Sequence, residues 1–358
     1  MQRNTSKMKE FEKNIRKVEP YVPGEQPQRK VIKLNTNENP YPPAPGVKKA
    51  LMGMDVDRMR LYPDPAASSL VHALAEYYGV DDEQVFVGVG SDDVLAMCFL
   101  TFFNSEKPIL FPDITYSFYK VWAELYRIPY ECPKVDNDFR IVKEDYYKAN
   151  GGVIFPNPNA PTSIYENLDF VEDILKHNQD VIVIVDEAYI DFAGKSAIEL
   201  IDQYENLIVV QTFSKARSMA GMRIGYAISN PKLIKYLNDA KYSFNSYTMN
   251  QTSLVCGVEA VNDRAYFDEQ VQKIIETREW TKNALKDLGF AFPDSQSNFI
   301  FATHPKFAAK ELFEMLKESD IYVRYLSGER TQNYIRITVG TKEEMETLIS
   351  CLKKYIML

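Results

Sequence analysis

The chain has 358 residues, 45% of them hydrophobic and 26% charged, with a formal net charge of −8. That length supports one large and one smaller unit with a sizeable core, and the acidic balance argues against a nucleic-acid binder, which carries a basic face. No apolar run reaches the roughly 18 residues of a membrane helix, and the N-terminal stretch MQRNTSKMKEFEKNIRKVEP is charged throughout rather than signal-like, so a cytoplasmic protein is expected.

Prolines cluster in NPYPPAP (39–45) and YPDP (62–65), which predicts an extended arm. A helix is expected near 67–79, then the strand VFVGV (85–89) and a buried helix near 92–103 carrying VLAMCFLTFF. The strand PILF (108–111), a helix near 116–127, the strand GVIF (152–155) and a helix near 168–178 follow. Then come the strands VIVIVD (181–186) and LIVVQTF (207–213). Strands alternating with helices predict a mainly parallel sheet covered on both faces. IGYAI (224–228) begins only about ten residues after LIVVQTF ends, too few for a parallel crossover, so it is expected to run antiparallel. Beyond about residue 250 the pattern turns helical and then gives FIFAT (299–303), IYVRYL (321–326) and YIRITVG (334–340), a smaller α+β unit joined by the N-terminal arm. The expected division is 1–43 (arm and part of the small unit), 44–247 (large unit) and 248–358 (small unit). The cysteines Cys98, Cys132, Cys256 and Cys351 and the histidines His72, His177 and His304 show no ligand spacing, so no metal site and free thiols are expected.

In open α/β sheets ligands sit beyond the carboxyl ends of the strands. VFVGV runs into Gly90, Ser91 and Asp92 at the start of a helix, and GVIF runs into PNPNAPTS (156–163). VIVIVD delivers Asp186, with Tyr189 shortly after. LIVVQTF carries Thr212 and delivers Ser214 and Lys215, and Arg223 follows between Gly221 and Gly225. Taken singly, these are ordinary features: helix caps, a capped strand end, a solvated lysine. Together they supply what pyridoxal 5′-phosphate needs. A lysine amine bonds its aldehyde, and a buried carboxylate keeps its ring nitrogen protonated. A helix N-terminus with a serine and a bidentate arginine holds its phosphate. A nucleotide P-loop is excluded, because no Gly-Lys-Ser/Thr follows the glycines.

The motifs LNTNENPYP (34–42), YPD (62–64), GSDD (90–93), TYSFY (115–119), PNPNAPT (156–162), DEAYIDF (186–192), TFSKARSMAGMRIGY (212–226) and YIRITVGT (334–341) resemble, in that order, the fold-type I, aspartate-aminotransferase-like enzymes that use pyridoxal phosphate. Among these they are most similar to the histidinol-phosphate aminotransferase group. The resemblance implies a seven-stranded, mainly parallel sheet with helices on both faces, plus a smaller α+β domain. It also implies a homodimer with shared active sites. It makes Lys215 the cofactor-bonding lysine, Asp186 the ring-nitrogen partner, Tyr189 a hydrogen-bond partner of the 3-hydroxyl and Tyr116 a stacking ring. Gly90, Ser91, Asp92, Thr212, Ser214 and Arg223 fall at cofactor positions, and Tyr62 matches a tyrosine that reaches the neighbouring subunit's phosphate. Arg336, Arg324, Tyr21 and Asn37 fall on the substrate side. One departure stands out. Where many relatives have Asn-Pro-Thr-Gly, this chain has Ala160 in the asparagine slot and Ser163 for the glycine, so Asn159 is expected to take over the contact with the 3-hydroxyl. The implied activity is aminotransfer between histidinol phosphate and 2-oxoglutarate in histidine biosynthesis. An aromatic aminotransferase or a threonine-phosphate decarboxylase of the same fold is the alternative. A non-catalytic regulator on this fold is a remote one, since such a protein would be expected to lack Lys215.

Overall fold

A computed structural model describes residues 9–357; the first eight residues of the charged N-terminal stretch lie outside the described residues. The strands are β1 (Ile32–Lys33), β2 (Val85–Gly88), β3 (Ile109–Leu110), β4 (Tyr130–Glu131), β5 (Val153–Pro156) and β6 (Val183–Asp186). They continue with β7 (Leu207–Thr212), β8 (Gly225–Ser229), β9 (Phe299–Ala302), β10 (Ile321–Tyr322), β11 (Arg324–Tyr325) and β12 (Ile335–Thr338). A seven-stranded sheet runs in the order β2-β8-β7-β6-β5-β3-β4. Strands β4, β3, β5, β6 and β7 pair in parallel, while β8 is antiparallel to both β7 and β2. The reversal at IGYAI is thus present, as the short connection requires.

The central strands are buried at every position because both faces are covered. Val153, Phe155, Val183, Val185, Leu207 and Val209 enter one core, and the alternate residues Ile154, Ile184, Ile208 and Val210 enter the other. The covering helices include Ser68–Tyr78, Ser91–Phe102, Phe118–Tyr126 and Leu168–His177, each within two residues of its expected bounds. The proline-rich stretch is irregular only through residue 44. Pro45 opens the helix Pro45–Met52, where its missing N–H has no intrahelical partner to lose. Helix Gln251–Asn262 packs on Pro45–Met52 and Ser68–Tyr78, adding Leu254, Cys256, Ala260 and Val261 to the larger core.

In the C-terminal unit β11, β12 and β9 form an antiparallel sheet. The run IYVRYL is not one strand. Val323 divides it, so that β10 pairs in parallel with β1 from the N-terminal arm while β11 turns to pair with β12. Strands β1 and β4, two residues each, are too short to show an alternation in sequence.

Two glycines let the strand ends approach closely. A Cβ on Gly225, at the start of β8, would lie 2.2 Å from Ser91 N, and one on Gly90, whose φ is +85°, would lie 2.5 Å from an Arg223 Nη atom. The N-terminus of helix Ser91–Phe102 can therefore sit against β8 with Arg223 beside it. Gly225→Ala should cost about 1–3 kcal/mol of stability, the usual penalty for overpacking a tight contact, read as a lower urea midpoint. An unchanged midpoint would show that the helix start has room to move.

Candidate active site

A cavity of about 180 Å³ opens at the carboxyl ends of these strands, where Ser91, Asp92, Tyr116, Asp186, Tyr189, Thr212, Ser214, Lys215 and Arg223 meet. Asp186, the last residue of β6, is 4% exposed. Its Oδ2 accepts from Tyr119 Oη at 2.8 Å and its Oδ1 from Ala188 N at 3.2 Å. Burial nevertheless pushes its carboxyl up to about 6, against the pull of those hydrogen bonds. Its neighbour Glu187 serves the scaffold. Ser196 Oγ, Ala197 N and Gln211 Nε2 donate to its carboxylate, which burial pushes up to about 7.

Lys215 reaches the cavity from the turn after β7. Its Nζ donates to Thr36 O at 3.1 Å and lies 5.7 Å from the centre of the Tyr189 ring. At the other end, Arg223 Nη1 lies 3.4 Å from Ser214 Oγ and Nη2 lies 3.5 Å from Asp92 Oδ2, beside the first turn of helix Ser91–Phe102. Tyr116 Oη donates to Asp92 Oδ1 at 2.7 Å, which turns its ring along the cavity wall.

A second, wider space of about 560 Å³ adjoins the first across Tyr116 and Tyr189, and Tyr21, Arg324 and Arg336 line it. Tyr21 stacks on Phe118 with ring centres 4.4 Å apart. Arg336, on β12, is half-buried. Its Nη2 donates to Asn35 O at 2.9 Å, but its Nε is buried with no partner among the described residues. Burial lowers its affinity for its proton, and the nearby charge of Arg324 adds to that. An anion in this space would relieve both.

Three expected residues lie outside the cavity of their own chain, as is expected only of Tyr62. Asn159 lies behind the wall, where its Nδ2 donates to Ile114 O and Thr162 Oγ1 and its Oδ1 accepts from Thr115, so Ala160 is the residue that faces the cavities. The amide is engaged by Thr162 of its own loop and by Ile114 and Thr115 of the loop after β3, and both Nδ2 hydrogens are used there. Asn37 does not face the substrate space either, because its Nδ2 donates to Tyr189 Oη at 3.0 Å and its Oδ1 accepts from Thr338 Oγ1. Tyr62 is 80% exposed, away from the cavity of its own chain, and stacks on Tyr247 at 4.5 Å. The sequence reading missed Tyr119, although TYSFY places it three residues after Tyr116, a helical step that turns it toward the same strand end. It also missed Thr36 and Glu38, which flank Asn37 and line the first cavity.

The donor set fits pyridoxal phosphate. A primary amine stands at one side, an enclosed carboxylate without a bonded cation at the floor, and an arginine, two serines and a helix N-terminus at the far end. Fold and site together define a pyridoxal-phosphate-dependent transferase of fold-type I. The chain belongs to the aminotransferase class I and II family, whose model matches residues 29–352, and it is a pyridoxal-phosphate-dependent aminotransferase. It is 49% identical to a histidinol-phosphate aminotransferase of Clostridium botulinum (strain Okra, type B1), over 98% of this chain and 99% of the relative. It is 50% identical to one of Brachyspira hyodysenteriae, over 95% and 96%. The crystal structure of histidinol-phosphate aminotransferase from Sinorhizobium meliloti in complex with pyridoxal-5′-phosphate superposes with a TM-score of 0.83 at 24% identity, covering 92% of each chain.

Asp186→Asn separates the cost of the carboxylate from its use. Turnover should fall roughly 100- to 1,000-fold, since a charged partner of the ring nitrogen is lost from a buried site. Stability of the cofactor-free protein should move the other way. With its pKa raised from 3.8 to about 6, the folded carboxyl keeps a proton that the unfolded chain releases, so wild-type stability is lost as pH rises between those values. The melting temperature of the variant relative to wild type should therefore climb from pH 4 to pH 7. A flat difference would show that the buried carboxylate carries no penalty.

Proposed function

We propose that the protein transfers the amino group of histidinol phosphate to 2-oxoglutarate in histidine biosynthesis. The observation that carries this reading is the half-buried Arg336, whose Nε has no partner among the described residues, set beside Arg324 in the space next to the cofactor cavity. Two cations there suit substrates that share an anionic end but differ in its chemistry, a phosphate in one half-reaction and carboxylates in the other. The identity of about half to curated relatives of that name supports the same choice.

Bound in the first cavity, the cofactor supplies an aldehyde that takes up the amino group and a ring that draws electrons from the substrate carbon. In this reading Lys215 would hold the aldehyde end and its Nζ would carry the proton of the substrate carbon, Asp186 would keep the ring nitrogen protonated, Tyr189 would donate to the 3-oxygen and Tyr116 would flank the ring. Ser91, Ser214 and Arg223, with the backbone N–H groups at the helix start that include Asp92, would hold the phosphate; Thr212 supports Ser214 by accepting from its backbone N–H at 3.1 Å. Glu38, which lines the same cavity, is paired with Lys33.

Arg336→Lys should raise the KM for glutamate at least tenfold with little loss of cofactor, because a point charge cannot replace a bidentate fork. Arg324→Ala should harm histidinol phosphate more than an unphosphorylated amine. Equal losses for both amines would favour the aromatic aminotransferase reading, and carbon dioxide release from threonine phosphate would favour the decarboxylase.

The reading includes a cytoplasmic homodimer with shared sites. No helix among the described residues is long and apolar enough to cross a membrane. The stretch leading to Tyr62 exposes Met52, Val56, Met59 and Leu61, and Phe244 and Tyr247 are exposed beside it, an apolar area that a second copy would cover. Tyr62→Ala lacks the donated hydroxyl and Lys215→Ala lacks the amine. Co-refolding the two should restore activity that neither has alone, because a mixed dimer carries one intact site. No recovery would mean that each chain completes its own site.

A further inference from the structure

Tyr189 meets a chain of buried hydrogen bonds that begins in the C-terminal unit. Asn37 is 1% exposed, Asn298 0% and Thr338 2%, and Asn37 holds a left-handed backbone with φ of +56°. Asn37 N donates to Thr338 Oγ1 at 3.0 Å, so the Thr338 hydroxyl has its own proton left for Asn37 Oδ1, also at 3.0 Å. With Oδ1 taken, the other side of the amide is Nδ2, which donates to Tyr189 Oη at 3.0 Å. Asn298 Nδ2 donates to Asn37 O at 3.0 Å and pins the same residue from the next strand connection. From Thr338 to Asn37 to Tyr189 the direction of each bond follows from the one before it, while Asn298 Oδ1 stays without a partner among the described residues.

We infer that Thr338 is a positioning residue that, through Asn37, sets the direction of the Tyr189 hydroxyl proton. Because Tyr189 Oη accepts from Asn37, its own hydrogen must point elsewhere, and the side left open is the cavity that Tyr189 lines. Tyr189 then stands as an obligatory donor to an oxygen anion in that cavity. Without the Thr338 hydroxyl the Asn37 amide is free to rotate. Its oxygen would then face Tyr189 and draw the phenolic hydrogen away from the cavity. The relay also links β12, the strand that carries Arg336, to the cofactor side of the site. It gives Asn37 a part distinct from substrate contact and gives Thr338, which lines neither cavity, a reason to be a hydroxyl residue.

The inference rests on Tyr189 donating to the cofactor's 3-oxygen. A donor there stabilises the oxygen as an anion, so losing it makes a neighbouring proton harder to remove and moves the titration of the cofactor's visible absorption band to higher pH. The experiment titrates that band in the resting holoenzyme for wild type and four variants. Tyr189→Phe should shift the midpoint upward by about one pH unit, the scale of one hydrogen bond to a charged group. Thr338→Val, of nearly the same shape, should shift it in the same direction by about half as much, and Thr338→Ser should restore the wild-type midpoint. Asn37→Asp, which presents only acceptors to Tyr189, should match Tyr189→Phe. A shift in Tyr189→Phe with Thr338→Val and Asn37→Asp both at the wild-type midpoint would overturn the relay and leave the role of Tyr189 standing. No shift in Tyr189→Phe would remove that role and the relay with it.

Discussion

A carboxylate held away from water, at the end of the strand in the middle of the sheet, is the constraint on which the rest of the site depends. Asp186 closes β6, where the flanking strands and both helix layers exclude solvent. Tyr119 and the Ala188 N–H offset part of the desolvation, yet the carboxyl still sits above its ordinary range. In the proposed function a protonated ring nitrogen would supply the missing opposite charge, and the buried acid would in turn hold the cofactor and keep it electron-withdrawing.

The remaining charges are sorted by distance from that floor. At one end the start of helix Ser91–Phe102 lies beside Arg223, made possible by glycine on both approaching backbones. On the other side of Tyr116 and Tyr189 stand Arg324 and Arg336. In the proposed function the arrangement separates the anion that stays from the anion that changes. Asp92 moderates Arg223 at the cofactor end, whereas Arg336 Nε has no partner among the described residues. An exchanging substrate gains most where a buried cation is still unsatisfied.

The small unit is more than a lid on this floor. Its β10 pairs with β1 of the N-terminal arm, and the arm continues into Asn35, Thr36 and Asn37. Asn35 O accepts from Arg336, Thr36 O accepts from Lys215, and Asn37 meets Tyr189. One extended segment therefore touches Arg336, Lys215 and Tyr189 in succession. A displacement of the arm would be felt at all of them.

Much of this was legible in the chain itself. Strands buried on both faces announce themselves as unbroken apolar runs, and a sheet with ligands beyond its carboxyl ends tells where to look, so Asp186, Ser214, Lys215 and Arg223 follow from order alone. The antiparallel β8 followed from the length of one connection, since a chain cannot cross a sheet in about ten residues. Tertiary structure alone decided which polar groups remain free. PNPNAPTS offers Asn159 and LNTNENP offers Asn37, but hydrogen bonds to Ile114 and Thr162 turn one away from the cavity, and Tyr189 and Thr338 claim the other. The split of IYVRYL and the two-residue strands β1 and β4 were settled by partners distant in the chain. Local pattern records which residues must be buried, because burial repeats with the period of the backbone. It does not record what a side chain bonds to once buried, because that partner arrives from elsewhere in the fold.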